Sequence, residues 1–160
     1  MSAQGHIFQI NASNGGVPKY PLRQAEVSEL GITEDRHRNM QVHGGPQRAL
    51  CLYSLESILA LQAEGHPIFP GSIGENLTLA GLDWSEMTPG VQIQLGDQVL
   101  IELTHYTTPC VNIRESFLGN DILRVSQEQH PGWSRLYARV RQGGAIQVGD
   151  LAIVLGDDHI

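Results

Sequence analysis

The chain has 160 residues, 17 acidic against 10 basic, a formal net charge of −7 and 41% hydrophobic residues. That charge balance excludes an electrostatic binder of nucleic acid, which carries a basic surplus, and apolar residues spread along the whole chain exclude a disordered one. No apolar run approaches the ~20 residues of a membrane span, the N-terminus shows no secretion signal, and the two cysteines, Cys51 and Cys110, make no disulfide framework; the expectation is one cytoplasmic domain over residues 1–160.

Eighteen glycines and eight prolines cut the chain into short pieces, as in an all-β domain with tight turns. Strands are predicted over 6–12, 23–29, 47–53 and 76–80. Ser54 caps a predicted helix through Leu55, Ile58, Leu59 and Leu61, with Gly65 past its end. Further on, Val91, Ile93 and Leu95 alternate with Gln92 and Gln94. Gly96-Asp97 then leads into Val99, Ile101 and Leu103. The same phrase returns as Ile146 to Gly149-Asp150, followed by Leu151, Ile153 and Leu155. Both places read as hairpins or sharp bends between strands. Helical turns are predicted after Pro109, through Arg114 and Phe117, and again over 121–129. A strand over 136–141 follows, and Gly143-Gly144 reads as a hairpin turn before Ile146. Many short one-sided strands must hide their edges, so the predicted architecture is a mainly β, closed or nearly closed barrel with two or three packed helices.

Cys110 carries the first chemical signal. With Thr108 as N-cap and Pro109 at the first helical position, Cys110 falls in the first turn of a helix, and Arg114 lies one turn on. Unpaired N–H groups, the helix dipole and the cation would favour a thiolate, a nucleophile or soft-metal ligand; the alternative is a small buried hydrophobe. Cys51, inside the apolar run Ala49-Leu50-Cys51-Leu52-Tyr53, reads as packing. In the turn-rich stretch before it, His37 and His43 could be zinc ligands, though no CxxC supports them. The better reading is a glycine-rich anion cradle at His43-Gly44-Gly45-Pro46, with Arg36 and Arg48 supplying charge. Gly71 to Leu77 lacks the spacing and lysine of a phosphate-binding P-loop. It reads either as a turn aiming Glu75 and Asn76 into a pocket or as a plain tight turn. Trp133 reads as packing.

Taken in order, these segments resemble the MOSC domain, found at the C-terminus of molybdenum cofactor sulfurases and as stand-alone bacterial proteins. The matching pieces begin with Asp35-Arg36-His37, His43-Gly44-Gly45-Pro46, Arg48-Ala49 and Leu52-Tyr53-Ser54-Leu55-Glu56. They continue with Gly74-Glu75-Asn76-Leu77, Gly81-Leu82-Asp83-Trp84, Gly96-Asp97 and Thr108-Pro109-Cys110. The last are Ala138-Arg139-Val140, Gly143-Gly144 and Gly149-Asp150. The match runs from about 18 to 155. The resemblance implies a β-barrel of mixed strands with a few peripheral helices and places Cys110 at the family's functional cysteine. There it would be a molybdenum ligand in a pterin-bound cofactor, reducing small N-hydroxylated compounds, or a persulfide-forming sulfur carrier. A non-catalytic cofactor carrier is the third possibility. Arg36, His43, Arg48, Glu75, Asn76 and Arg114 are the expected cofactor contacts. Pyridoxal phosphate, haem and an iron–sulfur cluster are not expected within these residues. Electrons or sulfur would then come from a partner, an electron-donor protein or a cysteine desulfurase.

Overall fold

The computed structural model describes residues 3–35 and 45–156; Arg36, His37 and His43 lie outside the described residues. Its strands are β1 (Gln4–Ala12), β2 (Tyr20–Leu22), β3 (Gln24–Ser28), β4 (Gly31–Ile32), β5 (Leu50–Ser54), β6 (Leu77–Ala80), β7 (Gln92–Leu95), β8 (Val99–Tyr106), β9 (Leu136–Gln142), β10 (Gly144–Gln147) and β11 (Leu151–Val154). Seven of them form a closed ring in the order β11-β7-β8-β9-β5-β6-β1, with β1 pairing back to β11 through Gln4 and Ile153. Closure leaves no edge in the ring, which is the architecture expected from the sequence. β2 extends β1 outside the ring, and β10-β3-β4 make a second small sheet.

The inward face of every ring strand is apolar. Ile7, Ile10, Leu50, Leu52, Leu77, Ile93, Leu95, Val99 and Ile101 are fully buried in one continuous core, each such side chain stabilising the fold by about 1.5–3 kcal/mol relative to exposure. β5 and β6 are the parallel pair, Leu52 opposite Leu77. A parallel pair needs a crossover, and here it contains α1 (Leu55–Ala63). The Ser54 hydroxyl accepts a hydrogen bond from the Ser57 N–H at 3.0 Å, Ile58 and Leu61 bury one face of α1, and Gly65 takes φ +102 just beyond its end. No helix of the described residues is long and apolar enough to cross a membrane.

Several local expectations are corrected. Gly96-Asp97 does join a hairpin, β7 to β8, but Gly143-Gly144 does not: β9 pairs with β5 and β8, whereas β10 pairs with β3. The chain changes sheets there because Gly143 passes so close to the Val27 carbonyl that a Cβ would sit 2.4 Å from its oxygen. Gly149-Asp150 is a sharp bend between strands, one of the two readings expected for it, here leading from the small sheet into the ring. The strand expected over 47–53 starts only at Leu50. Pro46–Arg48 form a 3-10 turn, since proline has no N–H to give a strand ladder. The helical stretches after Pro109 and over 121–129 are short 3-10 segments, Val111–Ser116 and Ile122–Val125.

Candidate functional site

One end of the barrel carries a partly enclosed pocket with a cavity volume of ≈ 80 Å³. Its walls come from four places distant in sequence: the β1–β2 loop (Lys19), the residues entering β5 (Arg48, Cys51), the loop before β6 (Gly74, Asn76) and the segments on either side of β8 and β9 (Cys110, Arg135, Tyr137). Lys19, Arg48 and Arg135 give this lining three cations and no carboxylate, in a chain whose net charge is −7.

Cys110 is half-buried at the pocket, with extended backbone (φ −130, ψ 165) at the N-cap of the 3-10 segment rather than inside its first turn. Its carbonyl accepts the Ile113 N–H at 3.2 Å, so the winding begins two residues later than the Thr-Pro spacing suggests. Winding at three residues per turn also swings a residue four positions on about a third of a turn away from the first. Arg114 accordingly does not line the pocket: it is exposed and donates from Nη1 to the Val111 carbonyl at 2.8 Å.

Cys51, expected only to pack, also lines the pocket wall. Burial pushes its thiol up to about 11. Tyr137 stands opposite it on β9, and burial pushes that phenol up to about 12. Arg48 lies over the Tyr137 ring, 5.6 Å from its centroid.

Behind the wall is a buried polar layer. Lys19 Nζ donates to both oxygens of Asp35, at 2.6 and 2.8 Å, with side-chain exposures of 8% and 1%. Asp35 also accepts from the Ser13 N–H at 2.9 Å and from Asn76 Nδ2 at 2.8 Å. Asn76 in turn accepts the Cys51 N–H on Oδ1 at 2.9 Å. Asn76 therefore lines the pocket with an amide whose two ends are already engaged. Glu75 does not line the pocket; fully buried, it accepts from the Gly71 N–H at 3.0 Å and from Thr78 Oγ1 at 3.1 Å, while Oε1 has no partner among the described residues. Burial raises its carboxyl above the ordinary range. Gly71 holds this loop in place: at φ +89, a Cβ there would meet the Lys19 carbonyl oxygen at 2.5 Å.

Arg135 was not anticipated. It is 7% exposed, lines the pocket, and donates from Nη1 to the Ile73 carbonyl at 2.8 Å. Nothing in a lone arginine before a strand announces such a role; the only hint is a cation directly preceding the apolar Leu136 that starts β9. Lys19 was missed for the same reason. Trp133 packs as expected, under the Arg124 guanidinium at 4.1 Å, with its carbonyl accepting the Tyr53 hydroxyl at 2.7 Å. Among the described residues, no group of three or more His, Cys, Asp or Glu is placed to hold a metal ion.

Comparison with known proteins agrees with this fold. The family model for the MOSC domain matches residues 39–152. The uncharacterised protein YflK of Bacillus subtilis is 28% identical over 136 residues, covering 84% of this chain and 60% of its own. Protein YiiM of Escherichia coli is 32% identical over 122 residues, covering 73% of this chain and 53% of its own. A protein named "Reductase" from Gibberella moniliformis is 29% identical over 133 residues, 80% of this chain but 23% of that one. The chain thus spans little more than half the length of the two bacterial relatives. The crystal structure of the YuaD protein from Bacillus subtilis has the same fold, with a TM-score of 0.74 at 16% identity, covering 96% of this chain and 97% of that one.

Proposed function

This chain belongs to the MOSC domain family, and on that premise we propose that its pocket binds a molybdenum cofactor through Cys110 and reduces small N-hydroxylated compounds with electrons from a partner protein. One observation carries the reading: the more accessible of the two thiols sits on a pocket lined by three cations, although the chain as a whole is acidic. A thiolate is a soft donor suited to molybdenum, and cations offset the charge of a phosphate or dithiolene. The relative named "Reductase" supports a redox role.

The donor set fits such a group, and the volume limits how much of it enters. A cavity of ≈ 80 Å³ is well below the ~300–1,000 Å³ that encloses a whole cofactor-sized ligand. Cys110 would hold the metal, with Arg48 and Arg135 beside it; His43 remains a proposed contact on the strength of the family match, and Arg36 on the sequence resemblance alone. When bound, the cofactor supplies two-electron chemistry for removing oxygen from an N–OH group, with electrons and protons entering and water leaving. The protein's own contributions are separable. Tyr137 and Cys51 are protonated at neutral pH, as an ordinary phenol and thiol are, and burial disfavours their anions further. They therefore present O–H and S–H groups to the cavity, leaving Cys110 as the thiol open to a metal. The Lys19–Asp35–Asn76 layer fixes the wall behind them.

The test is metal and pterin analysis of protein purified from a host that makes the cofactor. Wild type should carry stoichiometric molybdenum and an oxidisable fluorescent pterin, and Cys110→Ser should lose both while keeping its fold. Wild type holding no more molybdenum than Cys110→Ser overturns the proposal. Cyanide-releasable sulfur on Cys110 after incubation with a cysteine desulfurase would then assign the chain to sulfur transfer.

A further inference from the structure

Arg135 carries more than a wall position. A guanidinium has five N–H donors in a rigid fork, and a side chain that is more than nine-tenths buried must have those donors met or lose their hydration. Among the described residues, Nη1 donates to the Ile73 carbonyl, while neither Nε nor Nη2 has a partner. The two other pocket cations are differently placed. Lys19 is neutralised by Asp35, and Arg48 covers the Tyr137 ring. Glu75, a buried carboxyl that feels the Arg135 charge, makes no ion pair with it, and burial favours its neutral form. Among the described residues no carboxylate pairs with Arg135, so the buried layer leaves its cation, which lines the pocket, uncompensated.

We infer that this pocket is an oxyanion site: a small tetrahedral anion of the sulfate or phosphate type seats in the cavity against Arg135, within reach of the Cys110 thiol on the same lining. A forked guanidinium matches two oxygens of such an ion. The ≈ 80 Å³ cavity has room for a few water-sized groups, which suits an ion of five non-hydrogen atoms and excludes a bulky one. The shared chemistry is the tetrahedral oxyanion, either as a free ion or as the phosphate end of a larger molecule. The inference does not rest on molybdenum binding and stands whichever way the metal analysis falls.

The test uses the whole chain with inorganic sulfate, inorganic phosphate and phenyl phosphate, each against sodium chloride at equal ionic strength. Sulfate and phosphate should raise the melting temperature of wild type above the chloride control and slow alkylation of Cys110 by iodoacetamide. Iodoacetate, an anion, should react with Cys110 faster relative to iodoacetamide in wild type than in Arg135→Gln, the ratio falling about tenfold with loss of one charge-assisted contact. Arg135→Lys should keep part of that ratio. Equal protection by phenyl phosphate assigns the site to an organic phosphate's end, and protection by inorganic ions alone assigns it to a free ion. A folded Arg135→Gln with wild-type anion stabilisation and reagent ratio overturns the inference. If that variant does not fold, wild type decides: sulfate that leaves the Cys110 alkylation rate unchanged overturns it too.

Discussion

Asn76→Ala tests whether the polar layer behind the pocket holds the barrel end together. The side chain is 1% exposed and joins three segments: Oδ1 accepts the Cys51 N–H at 2.9 Å and Nδ2 donates to Asp35 at 2.8 Å. Truncation leaves the Cys51 N–H buried without an acceptor, at a cost of about 1–3 kcal/mol, and removes a hydrogen bond to a charged group worth about 1.5–3 kcal/mol. Both partners are buried, Cys51 at the cavity wall and Asp35 behind it, so any water that enters from the cavity replaces these bonds only in part. The expected loss is therefore roughly 3–5 kcal/mol, which for a chain of this length lowers the melting temperature by about 10 °C or more. Urea denaturation checks it: the midpoint should fall while the slope stays at the wild-type value, because the surface exposed on unfolding is unchanged. A loss below about 1 kcal/mol would refute the reasoning, because the Cys51 N–H would then have another acceptor.

Four further outcomes follow from the same geometry. Lys19→Met strands Asp35 as a buried, unpaired carboxylate and should cost about 3–5 kcal/mol, read by the same urea midpoint; an unchanged midpoint would show the pair to be solvated. Glu75 binds its proton more tightly folded than unfolded, because burial raises its carboxyl. Its contribution to stability is therefore full below the ordinary carboxylate range and is lost as pH rises through the folded value. Glu75→Gln removes that dependence, so its stability relative to wild type should improve between pH 5 and pH 8, and a constant gap would contradict it. With the Cys51 thiol at about 11, about one Cys51 in a thousand is thiolate at pH 8. Iodoacetamide should therefore label Cys110 in the native protein and Cys51 only after unfolding, as mass spectrometry of the peptides would report. Gly71→Ala forces a Cβ against the Lys19 carbonyl at positive φ and should lower stability by about 1–3 kcal/mol; a wild-type melting temperature would mean the loop shifts without strain.

The strands were legible where a single side-chain period was at work. The alternation of Val91 to Leu95 and of Val99 to Leu103 marks two half-buried strands, and Gly96-Asp97 between them is the hairpin observed. Gly143-Gly144 carries the same signal and means something else, because which strand a chain pairs with next is decided by distant segments. β10 leaves for β3, more than a hundred residues earlier in the chain. The 3-10 winding after Cys110 is hidden for a related reason: Ile113 and Phe117 stand at α-helical spacing, whereas within the segment the buried residues are Ile113 and Ser116, three apart, and only packing selects that tighter winding. Within the site, Cys110, Arg48 and Asn76 stood beside glycine or proline punctuation that drew notice. Arg135 and Tyr137 did not, since each borders or occupies an ordinary strand, and Lys19, although it follows Pro18, reads as the residue that leads into β2. Their proximity to Cys110 exists only once the ring has closed.

Closure also explains why Asn76 is the hinge of this arrangement. In the parallel pair, β6 begins at Leu77 opposite Leu52, so Asn76 lies level with Cys51 just before the ladder starts. Its N–H donates to the Cys51 carbonyl at 2.7 Å, and its side-chain oxygen takes the Cys51 N–H that no strand residue reaches. The amide thereby extends the β5–β6 pairing by one residue with a side chain in place of backbone. Its other end remains free to grip Asp35, and through Asp35 the Lys19 loop. A residue with an acceptor alone could serve the strand but not the loop; one with a donor alone could serve the loop but not the strand. Asparagine has both on a short stem, which is why Asn76→Asp, although nearly the same shape, should fail to restore the stability lost in Asn76→Ala: its second oxygen would meet the Asp35 carboxylate.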